Sequence, residues 1–571
     1  MFLENHSHLQ QDIFGIESHL SESKRKKLHN SLEASFYKLI FCNIDEKLFA
    51  PLFSDTGSRP NAPVNVLVSS LIFYQKKGWT TEELFDRIDF DLRLRFALGL
   101  NNLDDTPFCP ATFFNFQNRL LKYFTEKGIN LLERVFDSLT QDQLKELKIK
   151  TDIQRMDSFQ AMSNIRSYSR TQLLVEMLIR LYRVLDENDQ QKYQEIFTPY
   201  LSQTSSKFIY SLSKSDIPHE LEELAVIYHR LYHALKPLYS SIEVFKIFER
   251  VYNEHFCIVS DKITVKDSKK IGSSSLQSPD DIDATFRSKR DSSYHGQVVN
   301  ITETANPENS LNLITDVAVA ANNTDDSTIL NDRIDILKAK TSDLNELHTD
   351  GAYGSNDNDQ KMQEHTINHI QTAVRGRTPG VAIEIKETKP GQHHVSCPLQ
   401  STQSQNTRKR YKACFDMTIC AQCPYAEECQ TIKQKERRVF YFDEEMIKLQ
   451  HRIHAIEQLP IERQKIRPNI EATVKEYTKA YNHKGKLKVR GIFKTILFAF
   501  TMSIGINFGR IYRYILENPH LFPGYSHINS ILKAIGHAIG HYHKCLELFM
   551  PNFQRTVLKH TTCQVLAKVA F

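Results

Sequence analysis

Two aspartates, Asp157 and Asp350, sit in segments that read as strand ends. Asp157 lies in Ile153-Gln154-Arg155-Met156-Asp157-Ser158-Phe159, and Asp350 in Leu347-His348-Thr349-Asp350-Gly351-Ala352-Tyr353-Gly354. A carboxylate at a strand end, next to a glycine that lets a ligand or backbone approach, suits a hard cation. A turn or N-cap aspartate looks the same, because Asp-Gly is a common turn dipeptide. The third candidate is Glu471, in Arg467-Pro468-Asn469-Ile470-Glu471. Pro468 suits a first helical turn, so Glu471 projects from a helix. It also forms an ordinary i, i+4 pair with Lys475, and Glu476 is its nearest competitor. Spacing alone does not choose among these readings.

Five of the ten cysteines crowd between Cys397 and Cys429. Cys397, Cys420, Cys423 and Cys429 include one Cys-x2-Cys pair with single cysteines on either side. Four thiolates bind Zn2+ tetrahedrally and can close a small loop-rich unit that lacks a core. The pattern resembles a zinc ribbon. Cys414 is a possible fifth claimant, and His393 and His394 are weaker ones. Unpaired buried thiols are the alternative, but they do not explain so many cysteines in so polar a stretch.

Basic residues could hold a nucleic acid. Between Lys475 and Lys494 there are seven of them against one acid, Glu476. Lys484, Lys486, Lys488 and Arg490 recur at every second position, so an extended segment would present them on one face, toward phosphates. A second group, Arg287, Lys289 and Arg290, interleaves with Phe286, Tyr294 and His295 just after Asp280, Asp281 and Asp283. Such a mixture can contact a backbone and stack on an unpaired base, and a solvated loop would look alike. Arg467 joins Lys475 as a further candidate DNA contact.

The elements that must carry these residues follow from composition and punctuation. The chain has 571 residues, 40% hydrophobic and 25% charged, with 19 Gly and 19 Pro. This excludes a disordered or collagen-like chain and leans toward helix. A formal charge of +5 is too small for a polybasic tail protein, so any DNA-binding face must be local. No secretory signal is visible at the N-terminus. The stretch from Thr495 to Gly509 is too short and too polar to cross a bilayer, so a reduced cytoplasm is expected. Pro63 opens a helix, Gly78 stops it, and Thr80 with Glu83 forms a capping box for the next. Short helices of this kind can hold a helix-turn-helix unit or simply pack. Leu224, Tyr228, Leu231 and Leu235 keep one apolar face until Pro237 is expected to break it. From Gly296 to Asn322 two β-branched runs flank Asn306-Pro307-Glu308-Asn309 as a hairpin. Helix and strand then alternate, which implies an α/β sheet.

Taken in order, Arg155-Met156-Asp157-Ser158, Ser278-Pro279-Asp280-Asp281-Ile282-Asp283-Ala284, His348 to Gly354, and Arg467-x3-Glu471 resemble bacterial insertion-sequence transposases of the DDE class. Arg59-Pro60 and Phe96-Ala97-Leu98-Gly99-Leu100 resemble the helical N-terminal domain of that family. The likeness covers roughly residues 60–510. It implies a ribonuclease-H-like α/β core, helix-rich overall, in which Asp157, Asp350 and Glu471 bind two Mg2+ or Mn2+ ions. It also implies action on double-stranded DNA, namely terminal inverted repeats and a target, by a homodimer near the bacterial nucleoid and not at a membrane. The expected organisation is an α-helical DNA-binding domain (1–150), a first core strand (151–169), a helical insertion (170–256) and the α/β core (257–380). A zinc-ribbon insertion (381–440), the glutamate helix with its basic segment (441–515) and a helical tail (516–571) follow. One departure stands: relatives often carry Tyr-x2-Arg-x3-Glu-x6-Lys, but here the tyrosine position is Gln464 and the lysine position Thr478.

Overall fold

The computed structural model describes residues 1–9, 15–57, 59–289, 291–373 and 381–520. Arg290 and all but the first few residues of the expected 516–571 tail lie outside them.

One mixed sheet carries the sites of interest. Its first strand is β1 (Ile153–Met162); after a separate hairpin of β2 (Phe256–Val259) and β3 (Lys262–Val265) come β4 (Thr285–Lys289), β5 (Ser292–Thr304), β6 (Ile314–Ala321), β7 (Glu346–Thr349) and β8 (Asn368–Gln371). Across the sheet the order is β6-β5-β1-β7-β8, and β4 pairs with the start of β5. β5 runs antiparallel to β1 and to β6, whereas β7 runs parallel to β1 and to β8. The connections follow from that sense. The antiparallel β5–β6 pair needs only the turn expected at Asn306 to Asn309, while helices Asp326–Lys340 and Asn356–Glu364 make the crossovers to β7 and β8.

Both faces of the sheet are covered. On one, Met156 and Leu347 bury against Leu330, Ile334, Leu337 and Met362 of the crossover helices. On the other, Phe159, Ala161, Val299, Ile301 and Val317 join a large core with the N-terminal helices and helix Ile492–Glu517. That helix is 26 residues long, more than the apolar stretch suggested, and it is long and apolar enough to span a membrane by length and composition. Here it is the buried spine of the fold: Phe500 packs on Phe136, and Phe508 on Phe36. Its polar residues are buried because they are satisfied. Thr501 and Ser503 donate to the carbonyls of Leu497 and Ala499. Asn507 bonds both the N–H and the C=O of Ile314 in β6. Orphaning such a pair costs about 1–3 kcal/mol per group.

The N-terminal punctuation is present as expected. Helix Val64–Lys77 ends at Gly78 with φ +64°, and Thr80 and Glu83 complete a capping box. Between β1 and β5, helices from Arg170 to His255 bury Leu224, Tyr228, Leu231 and Leu235 in a core of their own. Helix Ile217–Tyr239 runs through Pro237 instead of breaking there. The proline falls in the last turn, so it interrupts little helix beyond itself. Residues 384–442 form two small sheets around Ile385, Val395, Phe415 and Phe440, so this region has a core of its own where a loop-rich unit without one was expected.

Candidate active site

β1 and β7 are parallel neighbours, and the two aspartates come from them. Asp157 lies in the middle of β1, opposite Ile301, and not at a strand end as its sequence suggested, because the β1–β5 ladder continues to Met162; Asp350 does directly follow β7. Asp350 is also the N-cap aspartate that its sequence allowed: Oδ1 accepts the Ala352 N–H at 2.8 Å and starts the turn Gly351–Tyr353. Its other oxygen faces the site. Tyr353, fully buried at the end of that turn, pins it to the sheet: Tyr353 Oη lies 2.7 Å from Ser158 Oγ, and Asn300 donates to both.

Glu471 belongs to helix Ile470–Thr478, whose Ile470, Thr473 and Tyr477 are buried at helical spacing. That stripe turns Glu471 outward. The helix is fastened to the sheet by a buried ion cluster. Glu303, opposite Arg155 in the β1–β5 register, has no solvent exposure. It accepts Arg155 Nε at 2.7 Å, Arg510 Nη1 at 2.8 Å and Thr473 Oγ1 at 2.7 Å. Arg155 also donates to the Ile466 carbonyl at 3.0 Å, one residue before Arg467. Burial would raise the Glu303 carboxyl, but Arg510 and Arg155 hold it below its ordinary value.

From this fastened segment Arg467 reaches all three candidate carboxylates. Its Nη2 donates to Asp157 Oδ2 at 2.8 Å and lies 3.8 Å from Asp350 Oδ2; its Nη1 donates to Glu471 Oε1 at 3.1 Å. Side-chain exposure rises from 12% at Asp157 to 36% at Asp350 and 68% at Glu471, so the site opens to solvent on the glutamate side. Burial pushes the Asp157 carboxyl up to about 6; Arg467 and the Ser158 amide oppose the rise, and Asp350 adds to it. Glu476, the competitor, points elsewhere, toward Arg510 and Lys76.

Carboxylate oxygens are the donors that Mg2+ or Mn2+ prefers. Even so, among the described residues no three His, Cys, Asp or Glu side chains are placed to hold a metal ion. The donor set at Asp157, Asp350 and Glu471 fits such a cation chemically, and a guanidinium lies among the oxygens. Cys397, Cys420, Cys423 and Cys429 likewise line one small cavity of about 20 Å³, beside Arg438. Burial raises the Cys420 thiol, Arg438 opposes the rise, and the other three cysteines add to it. Four sulfurs around a space for one sphere fit zinc in kind, although they too are not drawn into a ligand set. Cys414 does not line the cavity, and His393 packs between Tyr411 and Phe442.

The basic candidates are largely engaged with the protein. Lys486 Nζ donates to Ile165 O at 2.6 Å, Arg490 Nε to Asn164 O at 2.8 Å, and Lys488 Nζ to Gly78 O. The expected alternation is there, with Leu487 buried and Lys488 and Arg490 exposed, but a turn at Gly485 precedes it. Leu487 and Val489 run beside the end of β1 through bonds to Met162 and Asn164. Lys475 and Lys484 are exposed. Lys289 ends β4, while Arg287 donates to the carbonyls of Asn322 and Thr324. The acidic segment ahead of them is a clasp. Asp281 accepts from Ser163 and from the Gly491 N–H, Asp283 accepts the first N–H of the long helix, and Asp280 pairs with Arg180. The clustering of acids signalled this role only once their distant partners were in view. Sequence reasoning missed Glu303, Arg510, Thr473, Tyr353 and Asn300, whose partners are remote in the chain; the one local signal was a charge at Glu303 inside a β-branched run.

No curated protein and no solved structure matches the chain. Two family models do. Residues 23–119, the helical N-terminal region, match a transposase domain (DUF772). Residues 390–512 match a transposase DDE domain, a stretch that includes the four cavity cysteines, Arg467 and Glu471 and stops short of Asp157 and Asp350. Together the two matches indicate an insertion-sequence transposase of the DDE class.

Proposed function

We propose that the protein cleaves the phosphodiester at the ends of a mobile element and joins the freed 3′-hydroxyl to target DNA. One observation carries this reading: Asp157, Asp350 and Glu471, from three separate parts of the chain, converge on a single guanidinium. These three would hold Mg2+ or Mn2+, which when bound activates the attacking oxygen and stabilises the leaving one. The rest is the work of the chain. The Glu303 cluster sets the glutamate helix against β1, and Tyr353 sets the Asp350 turn against the same strand. The mixed sheet with helices on both faces supports the ribonuclease-H-like reading of the core. The cysteine cavity would hold one structural zinc that stiffens the 381–440 unit. Lys475, exposed on the glutamate helix, and Lys484, exposed beyond its end, would meet the DNA backbone, with Lys289 and Arg287 at the far end of β4–β5. The N-terminal helices would grip the duplex, and a pair of chains would bring two ends together.

The test uses duplexes carrying an element end, with Mg2+. Asp157→Asn, Asp350→Asn and Glu471→Gln each abolish cleavage while binding in a gel-shift assay persists. Pre-cut ends are then joined to target DNA. Cleavage without joining would make the protein a nuclease, and binding without metal-dependent cleavage a regulator of its element. If Glu476→Gln is inactive and Glu471→Gln active, the third ligand is misassigned.

A further inference from the structure

Arg467 is placed where a cation would be expected. Its guanidinium, with 15% of the side chain exposed, contacts Asp157, Asp350 and Glu471 together, and its buried Nε has no hydrogen-bond partner. Three carboxylates outnumber it, so the group keeps an excess of negative charge. A guanidinium cannot lose its proton in a protein, so it cannot make way for a metal by titration; it must move. The side chain starts at the first residue of the short turn Arg467–Asn469, just before the helix that carries Glu471. It can therefore swing as a unit while the backbone stays fixed by Arg155 at Ile466. The hold on Asp157 is the firmer part, at 2.8 Å to a carboxylate that is 12% exposed; Asp350 lies farther off at 3.8 Å, and Glu471 is mostly exposed, where an ion pair in water contributes little.

Resting on the reading of these carboxylates as the cation site, we propose that Arg467 is its resident counter-ion, keeping the site closed to divalent metal in the DNA-free protein. The guanidinium balances part of the charge in the idle state and spares the aspartates from facing each other unscreened. Metal loading is then an exchange of one cation for another, and it is weaker than the carboxylates alone would allow.

The experiment titrates Mn2+ into the full-length, DNA-free protein and follows free Mn2+ by electron paramagnetic resonance. Arg467→Gln binds Mn2+ about tenfold more tightly than wild type, the size of one released charge-assisted contact. Arg467→Lys, whose single ammonium cannot span the group, falls between them and serves if the glutamine variant does not fold. Adding Asp157→Asn to Arg467→Gln removes the gain. Equal or weaker binding by both Arg467 variants, with wild-type binding still sensitive to Asp157→Asn, overturns the counter-ion role and leaves the metal site standing. Binding insensitive to Asp157→Asn in every background overturns the site itself, and the counter-ion role with it.

Discussion

Two carboxylate–arginine clusters share this sheet, one centred on Glu303 in β5 and one on Asp157 in β1, and they are built for opposite ends. At Glu303 one fully buried carboxylate meets two guanidiniums and a threonine hydroxyl, and Glu476 on Arg510 brings the count to two acids for two arginines. At Asp157 three carboxylates meet one guanidinium. The first is built round a carboxylate with no solvent exposure and has its charges paired; the second is short of positive charge and opens toward solvent at Glu471. Their acids shift in opposite directions, Glu303 below its ordinary value and Asp157 up to about 6. A cluster that stabilises the fold has its charges matched, whereas one kept for chemistry leaves a charge to be matched by something from outside.

The sharpest way to break this contrast is at Glu303. Glu303→Gln leaves Arg155 buried without its counter-charge and Arg510 with Glu476 alone, and the thermal midpoint should fall by the equivalent of about 3–5 kcal/mol. The pH dependence has a definite sign. A depressed carboxylate contributes stability that is complete above its unfolded value, near 4.5, and is lost as pH falls through the lower folded value. Acid melting curves of wild type should show that loss, and those of Glu303→Gln should not.

Asp157→Asn should act in the opposite direction. Asp157 has a folded value of about 6 against 3.8 unfolded, so between these the native state holds the extra proton. Stability then declines as pH rises through that window, and above it the site carries a standing cost of roughly 1–3 kcal/mol. Metal-free Asp157→Asn should therefore melt higher than wild type at pH 7.5, and the difference should vanish below pH 4. A lower melting point at pH 7.5 would make the two clusters alike. The smallest effect is expected at the joint between them: Thr473→Val removes one hydroxyl from the Glu303 cluster, about 1 kcal/mol. It should slow cleavage more than that loss implies, because the glutamate helix loses its anchor.

The two clusters were not equally legible in the sequence. Asp350 stood out because a strand end and Asp-Gly leave local marks, whereas Asp157, expected at a strand end, lies in the middle of β1. Glu471 and Glu476 could not be separated, since both lie on one helix; their surroundings differ only through Arg467 on one side and Arg510 with Lys76 on the other. The Glu303 cluster depends on the β1–β5 register, which pairs residues far apart in the chain, and no local pattern encodes that. The basic run after Glu471 was visible as charge, yet Lys486, Lys488 and Arg490 spend it on backbone carbonyls of distant segments. The N-terminal helices were readable to the residue at Gly78 and Thr80, because caps are local chemistry.

The central claim is that Asp157, Asp350 and Glu471 form one divalent-cation site. Crystals of the protein with an element-end duplex and Mn2+, measured at the manganese absorption edge, test it most directly. Anomalous density is expected among these three carboxylates, with the Glu303 cluster free of it. Manganese bound elsewhere, with none at Asp157 and Asp350, would contradict it.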